Sequence, residues 1–200
     1  DYKHLKTGIR VNPPVRSLED MSAIWQALNS GLIDMVATDH APHLPSEKMK
    51  SSIWEADCGF PGVETQMPLM LTQVNRDKLS LQTYVDISST RPSKGFGLWP
   101  LKGQINVGCH ADIAVVDLNR KEIIKSSGLH SKSKFTPFDG FQVKGAPIHT
   151  LVRGEFIQFE RTLVAEKKGF GRQVTDIQKM PKPSPKNQQK YLSSVIKKTY

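Results

Sequence analysis

The sequence is poor in cysteine, with Cys58 and Cys109 alone in 200 residues and in no CxxC arrangement. Two distant thiols exclude a disulfide scaffold and a thiolate zinc knuckle; two reduced thiols are expected, with a single disulfide the remaining option. No apolar run approaches the roughly 20 residues that cross a bilayer, so no membrane span is expected. The first residues, Asp1-Tyr2-Lys3-His4-Leu5-Lys6, contain no apolar signal-peptide core and no initiator Met. The chain is therefore expected to begin within a longer sequence. Acidic residues are scarce near the end: residues 161–200 hold 10 Lys and Arg against 2 Asp and Glu, whereas residues 1–160 hold 18 against 17. The net charge of +9 thus belongs to the tail. A nucleic-acid-binding domain would concentrate it on a folded face, so no nucleic-acid partner is expected.

What is present suits a globular protein, with 38% apolar and 8% aromatic residues. Thr7–Val11 reads as a short strand ended by Pro13-Pro14. Ser17-Leu18-Glu19-Asp20 has the form of a capping box, and Met21, Ile24, Trp25 and Leu28 follow as one apolar stripe on a helix that Gly31 stops. Ile33–Thr38 is apolar almost throughout, as in a parallel strand buried on both faces. The long stretch Asp39–Gly62 is rich in Pro and Gly and reads as a functional loop. Helices are expected over Val63–Asn75 and from Ser80 until Arg91-Pro92 breaks the second.

After Gly103 the period changes to two. Gln104–Val107, Ala111–Leu118, Glu122–Lys125 and Thr150–Phe159 read as strands separated by Gly, Asn and Asp turns. We therefore expect α/β architecture over residues 1–100, a second unit of strands over 101–165, and a basic, disordered tail over 166–200 with a brief helix at 188–200.

The chemistry concentrates in Ala37-Thr38-Asp39-His40-Ala41-Pro42-His43, where a buried strand gives way to a long loop. In α/β barrels the carboxyl end of a strand is where catalytic groups sit. Asp39 is a candidate metal ligand, with two histidines within four residues. Taken alone Asp-x-x-x-His is a weak motif, equally at home as a capping aspartate beside solvated histidines.

The run does not stand alone. Ala37–His43 resembles the Ala-Thr-Asp-His-Ala-Pro-His signature of the dihydroorotases, cyclic amidohydrolases of the metal-dependent hydrolase superfamily. Val11-Asn12-Pro13-Pro14-Val15-Arg16, Gly59-Phe60-Pro61-Gly62-Val63-Glu64-Thr65, Gly108-Cys109-His110-Ala111-Asp112 and Ser131–Gly140 resemble further segments of that family in the same order. The resemblance implies the C-terminal portion of a (β/α)8 TIM-like barrel over residues 1–100 and part of a small β-sandwich over 101–165. It implies one or two zinc ions, with Asp39 as metal ligand and general acid or base, and Asn12, His43 and Gly59 as substrate-binding positions. His40 is open between support of the site and simple packing, and Arg16 between a substrate contact and a solvated or helix-adjacent ion pair. His4, His110, His130 and His149 match no ligand position. Asp57-Cys58 stands where a Pro-Phe pair is more usual.

The implied reaction is the reversible interconversion of N-carbamoyl-aspartate and dihydroorotate in pyrimidine biosynthesis. Its substrate is a small molecule, its location cytoplasmic, and a homo-oligomer is left open. Allantoinase- or hydantoinase-like activity and a catalytically dead structural homologue are the alternatives. The resemblance places the remaining zinc ligands, including a His-x-His strand, upstream of residue 1. The chain by itself is expected to be inactive and poorly folded.

Overall fold

The computed structural model describes residues 2–164 and 169–174. Apart from residues 169–174, the expectations for the tail, including the helix at 188–200, fall outside these residues. Among them no helix is long and apolar enough to cross a membrane.

The chain opens with a helical turn, α1 (Tyr2–Leu5), and a 3-10 turn over Lys6–Ile9, where a strand was expected. Arg10 N–H closes onto Thr7 O at 3.1 Å, so the local bond replaces a ladder. Helix α2 (Leu18–Asn29) begins as the sequence directs. Ser17 Oγ accepts from Asp20 N–H and an Asp20 carboxylate oxygen accepts from Ser17 N–H, both at 3.2 Å. Gly31, at φ +79°, ends it. Its apolar stripe is only partly covered: Leu28 is buried and Trp25 packs beside it, while Met21 and Ile24 stay exposed.

Residues 33–38 form no strand ladder. A parallel strand takes its hydrogen bonds from neighbouring strands, and none adjoins it among the described residues; Val36 N–H instead donates to Ile87 O at 3.1 Å. The loop that follows carries one short helix, α3 (Pro45–Lys48). Helix α4 (Gln66–Val74) and helix α5 (Leu81–Val85, capped by Ser80 Oγ) lie near their expected places.

Arg91-Pro92 does not end the second helix. One turn of π-helix, Asp86–Thr90, intervenes, with Arg91 N–H bonding back to Asp86 O, and α6 (Arg91–Gly95) continues with Pro92 in its first turn. There a missing N–H costs little. Arg91 pairs with Asp86 at 2.7 Å and reaches the carbonyls of Gly31 and Ile33, tying this helix to the end of α2.

The second half is a four-stranded antiparallel sheet in sequential order: β1 (Ile113–Ile123), β2 (Gln142–Val152), β3 (Glu155–Phe159) and β4 (Thr162–Leu163). Gln104–Val107 is not a strand. The turn expected at Asn119 is a register slip inside β1 between Asp117 and Lys121, where Asn119 N–H bonds to Asp117 Oδ1. Thr150–Phe159 is split by a turn at Arg153-Gly154, both with positive φ.

Helices and sheet share one core of Leu28, Leu71, Leu79, Tyr84 and Ile87, against which Ile33, Val36, Val116 and Leu118 pack. Burial pushes the Tyr84 phenol up to about 12. Helix α4 lies on β2 because Gly145 allows it: at φ +101°, a Cβ there would sit 2.7 Å from Leu71 Cβ. Lys144 N–H donates to Thr72 Oγ1, and Asn75 Nδ2 donates to the carbonyls of Leu118 and Lys144, which fixes helix to sheet.

Ile87 has no exposed surface. Its replacement by alanine in the protein containing this chain is expected to lower unfolding stability by about 2–5 kcal/mol, read from chemical denaturation.

Candidate functional site

Three segments lie side by side: residues 10–12, 39–43 and 57–62. Gly59 N–H donates to Arg10 O at 3.0 Å, and Ala41 N–H donates to Phe60 O at 3.2 Å. The contact is close enough to require glycine. Gly59 is buried at φ +109°, and a Cβ there would stand 2.5 Å from Ala41 Cβ; at Gly62 it would stand 3.0 Å from Thr38 Cβ and O. His40 joins the same two loops, its Nδ1 accepting from Gly62 N–H at 3.0 Å and Val63 N–H at 3.3 Å. That places the neutral ring's proton on Nε2. His40 is therefore an anchor between the loops.

Asp39 itself is exposed, with φ +43°, and its carboxylate has no hydrogen-bond partner among the described residues. A non-glycine residue in the left-handed region costs about 1–3 kcal/mol and persists where the surroundings hold it. Here the glycine contacts on either side do so. Asn12 is also exposed, two residues beyond Arg10 O.

The loops are pinned from beneath by Lys48, which is fully buried. Its Nζ donates to Arg10 O at 2.6 Å and to Asp57 O at 2.7 Å, and burial pushes the ammonium pKa down. The Arg10 guanidinium in turn donates to the carbonyls of Trp54 and Ala56. His43 is held by its backbone, since the buried Ser133 hydroxyl donates to His43 O at 2.6 Å. Its ring Nδ1 lies 3.5 Å from Glu47 Oε2 and 3.7 Å from Asp57 Oδ2. Glu47 also closes a cap on α3 by accepting from Leu44 N–H at 2.6 Å.

Asp39, Asn12, His43 and Gly59 thus fall on adjoining segments. Asp39 is nevertheless a lone ligand: the described group close enough to share a cation is His43, Glu47 and Asp57, which excludes it. A zinc site needs three or four protein ligands, so the described residues do not complete one at Asp39. A cleft of about 770 Å³ opens nearby between α4 and the sheet. His40, Glu64 and His130 line it; Asp39, Asn12 and His43 do not.

Lys48, Glu47, Asp57 and Ser133 carried no signal in the sequence as site residues. Only the nearness of Glu47, Lys48 and Asp57 to His43 and Gly59, and the place of Ser133 within the Ser131–Gly140 segment, pointed to them. Arg16 is exposed, with no ion pair among the described residues. Both cysteines are free thiols. His149 stacks on Phe159 at 4.6 Å between ring centres.

Glu64 joins the loop to the segment before the matched Ser131, accepting from His130 N–H at 2.7 Å and meeting His130 Nδ1 at 2.8 Å. Burial works against its charge, but the His130 contacts outweigh it and hold the carboxyl below its ordinary 4.5. A depressed carboxyl stabilises the fold above its unfolded value and loses that effect as pH falls through the folded one. The stability of the protein containing this chain should therefore fall on acidification below about pH 4.5 more steeply than that of its Glu64→Gln variant, measured by urea denaturation across pH.

The chain resembles known proteins along most of its described length. An L-hydantoinase of Paenarthrobacter aurescens is 39% identical over 178 residues, covering 88% of this chain and 39% of the relative. A dihydroorotase of Methanosarcina acetivorans is 44% identical over 167 residues, covering 83% and 35%. The solved L-hydantoinase (dihydropyrimidinase) from Arthrobacter aurescens superposes with a TM-score of 0.79 at 36% identity, over 82% of this chain and 37% of that one. The D-hydantoinase (dihydropyrimidinase) from Thermus sp. gives 0.79 at 34%, over 83% and 37%. The chain thus spans little more than a third of the length of these relatives. The amidohydrolase family model matches residues 14–157, and with these identities the chain belongs to the amidohydrolase family.

Proposed function

We propose that this chain contributes part of the active site of a cyclic-amide hydrolase, and that the reaction is the interconversion of dihydroorotate and N-carbamoyl-aspartate. One observation carries this reading: Asp39, unpaired and held at positive φ, lies in a loop packed against the segment that bears Gly59, which bonds in turn to Arg10, two residues before Asn12. In the proposal Asp39 ligates zinc and exchanges a proton at the scissile amide, while Asn12 and His43 bind the ring amides and carboxylate. Gly59 offers backbone to the flat ring, at a point where any side chain would collide with Ala41. Zinc, when bound, supplies an acidified water. Of the ligands such an ion needs, Asp39 gives one. Residues 1–100 would form barrel and 101–165 sandwich, in a cytosolic enzyme acting on small molecules.

Hydrolysis of a hydantoin is the second reading, because hydantoinases stand beside dihydroorotases among the relatives. The two substrates differ in ring size, six members against five, and in the carboxylate that dihydroorotate bears, so the ratio of kcat/KM for dihydroorotate and hydantoin separates them. The zinc-loaded enzyme containing this chain is expected to favour dihydroorotate; a preference for hydantoin would replace the first reading with the second. In that enzyme Asp39→Asn should lower kcat by about 10²–10⁴-fold, the usual share of a general acid or base. Unchanged kcat would remove Asp39 from the chemistry.

A further inference from the structure

Beside the proposed site lies a small constellation that the reaction as drawn does not use. Asp57 is fixed by its backbone on two sides: its N–H donates to Glu47 O at 3.1 Å, and its carbonyl accepts from the buried Lys48 ammonium at 2.7 Å. Held in this way, its carboxylate stands 3.7 Å from His43 Nδ1. Glu47 is 3.5 Å from the same nitrogen, but its carboxylate is already engaged by Leu44 N–H. Among the described residues His43 Nε2 has no hydrogen-bond partner. Two negative groups thus face one ring nitrogen and none faces the other.

From this geometry we propose that Asp57 is a positioning residue for His43: it keeps the ring proton on Nδ1 and leaves Nε2 to meet the substrate. The inference rests on the reading of His43 as a substrate-binding residue. A carboxylate facing one imidazole nitrogen selects the tautomer with the proton on that nitrogen, so the other nitrogen is the one left for a ligand. The separations are ion-pair lengths, and such contacts shorten when a ligand orders the site. Lys48 makes the arrangement rigid, because one ammonium joins the backbone of Asp57 to that of Arg10, two residues before Asn12. The nitrogen that His43 presents and the placement of Asn12 are therefore set by one buried group. Asp57 also belongs to the Asp57-Cys58 pair at which the chain departs from the pattern it resembles, so the device is a property of this chain.

The test uses Asp57→Asn and Asp57→Glu in the zinc-loaded enzyme containing this chain, with dihydroorotate as substrate and long-range ¹H–¹⁵N spectra of the His43 ring. Asparagine keeps the shape and removes the charge. It is expected to raise KM about ten-fold, the effect of losing one charge-assisted contact, with kcat within about two-fold, and to move the ring proton from Nδ1 toward Nε2. Glutamate should restore both in part. Unchanged ring spectra in Asp57→Asn would overturn the proposal whether or not KM rises, since a purely structural role could raise KM without moving the proton. If the wild-type enzyme does not turn over dihydroorotate, the functional reading fails, while the ring spectra still decide the role of Asp57.

Discussion

The geometry of the candidate site depends on a lysine that has no exposed surface. An ammonium taken out of water must be compensated by hydrogen bonds, and Lys48 finds them on two backbone carbonyls from segments 47 residues apart, those of Arg10 and Asp57. The Asp57 segment has no ladder or helix of its own and the Arg10 segment only the 3-10 turn that ends there, so the lysine supplies the order that secondary structure does not. The Arg10 guanidinium caps the carbonyls of Trp54 and Ala56, and Gly59 N–H takes up Arg10 O.

A second constraint works from above. The 57–62 segment approaches the 38–41 segment so closely that Gly59 and Gly62 admit no side chain. This contact, with the His40 ring bonded across it, presents Asp39 on a left-handed backbone with its carboxylate in solvent. A group held in place by its backbone meets a ligand without reorganisation. The Ser133 hydroxyl bonded to His43 O and the Glu64–His130 pair carry the rigidity on to residues 130–133, which lead into the sheet. The resembling segments, scattered along the sequence, are thus parts of one contact network.

Much of the fold is legible in the residue order. The capping box at Ser17, the stop at Gly31, the helix over 66–74 and the Ser80 cap are local hydrogen-bonding events, and local chemistry is what a sequence states directly. Of the elements that depart from expectation, Ile33–Thr38 and Asn119 do so through distant partners and Pro92 through a local turn that composition does not signal. Ile33–Thr38 has the composition of a buried strand, yet a strand exists only through a neighbour's ladder, and Val36 N–H bonds instead to Ile87 O. The turn expected at Asn119 is a slip within β1 because β2 pairs on both sides of it. Pro92 does not break its helix because a π turn shifts the carbonyls around it.

The same division holds at the site. Residue order alone singled out Asp39, Asn12, His43 and Gly59, since their identities and flanking residues form recognisable runs. It was silent on Lys48, Asp57 and Ser133: what they do is set by which carbonyl or ring nitrogen lies within bonding distance, between 9 and 90 residues away for the bonds of Lys48 and Ser133. The sequence by itself determined the family and the helix termini and named the candidate side chains. Tertiary structure alone decided which of them meet, because a buried ammonium and a pair of glycines act only through the segments that fold against them.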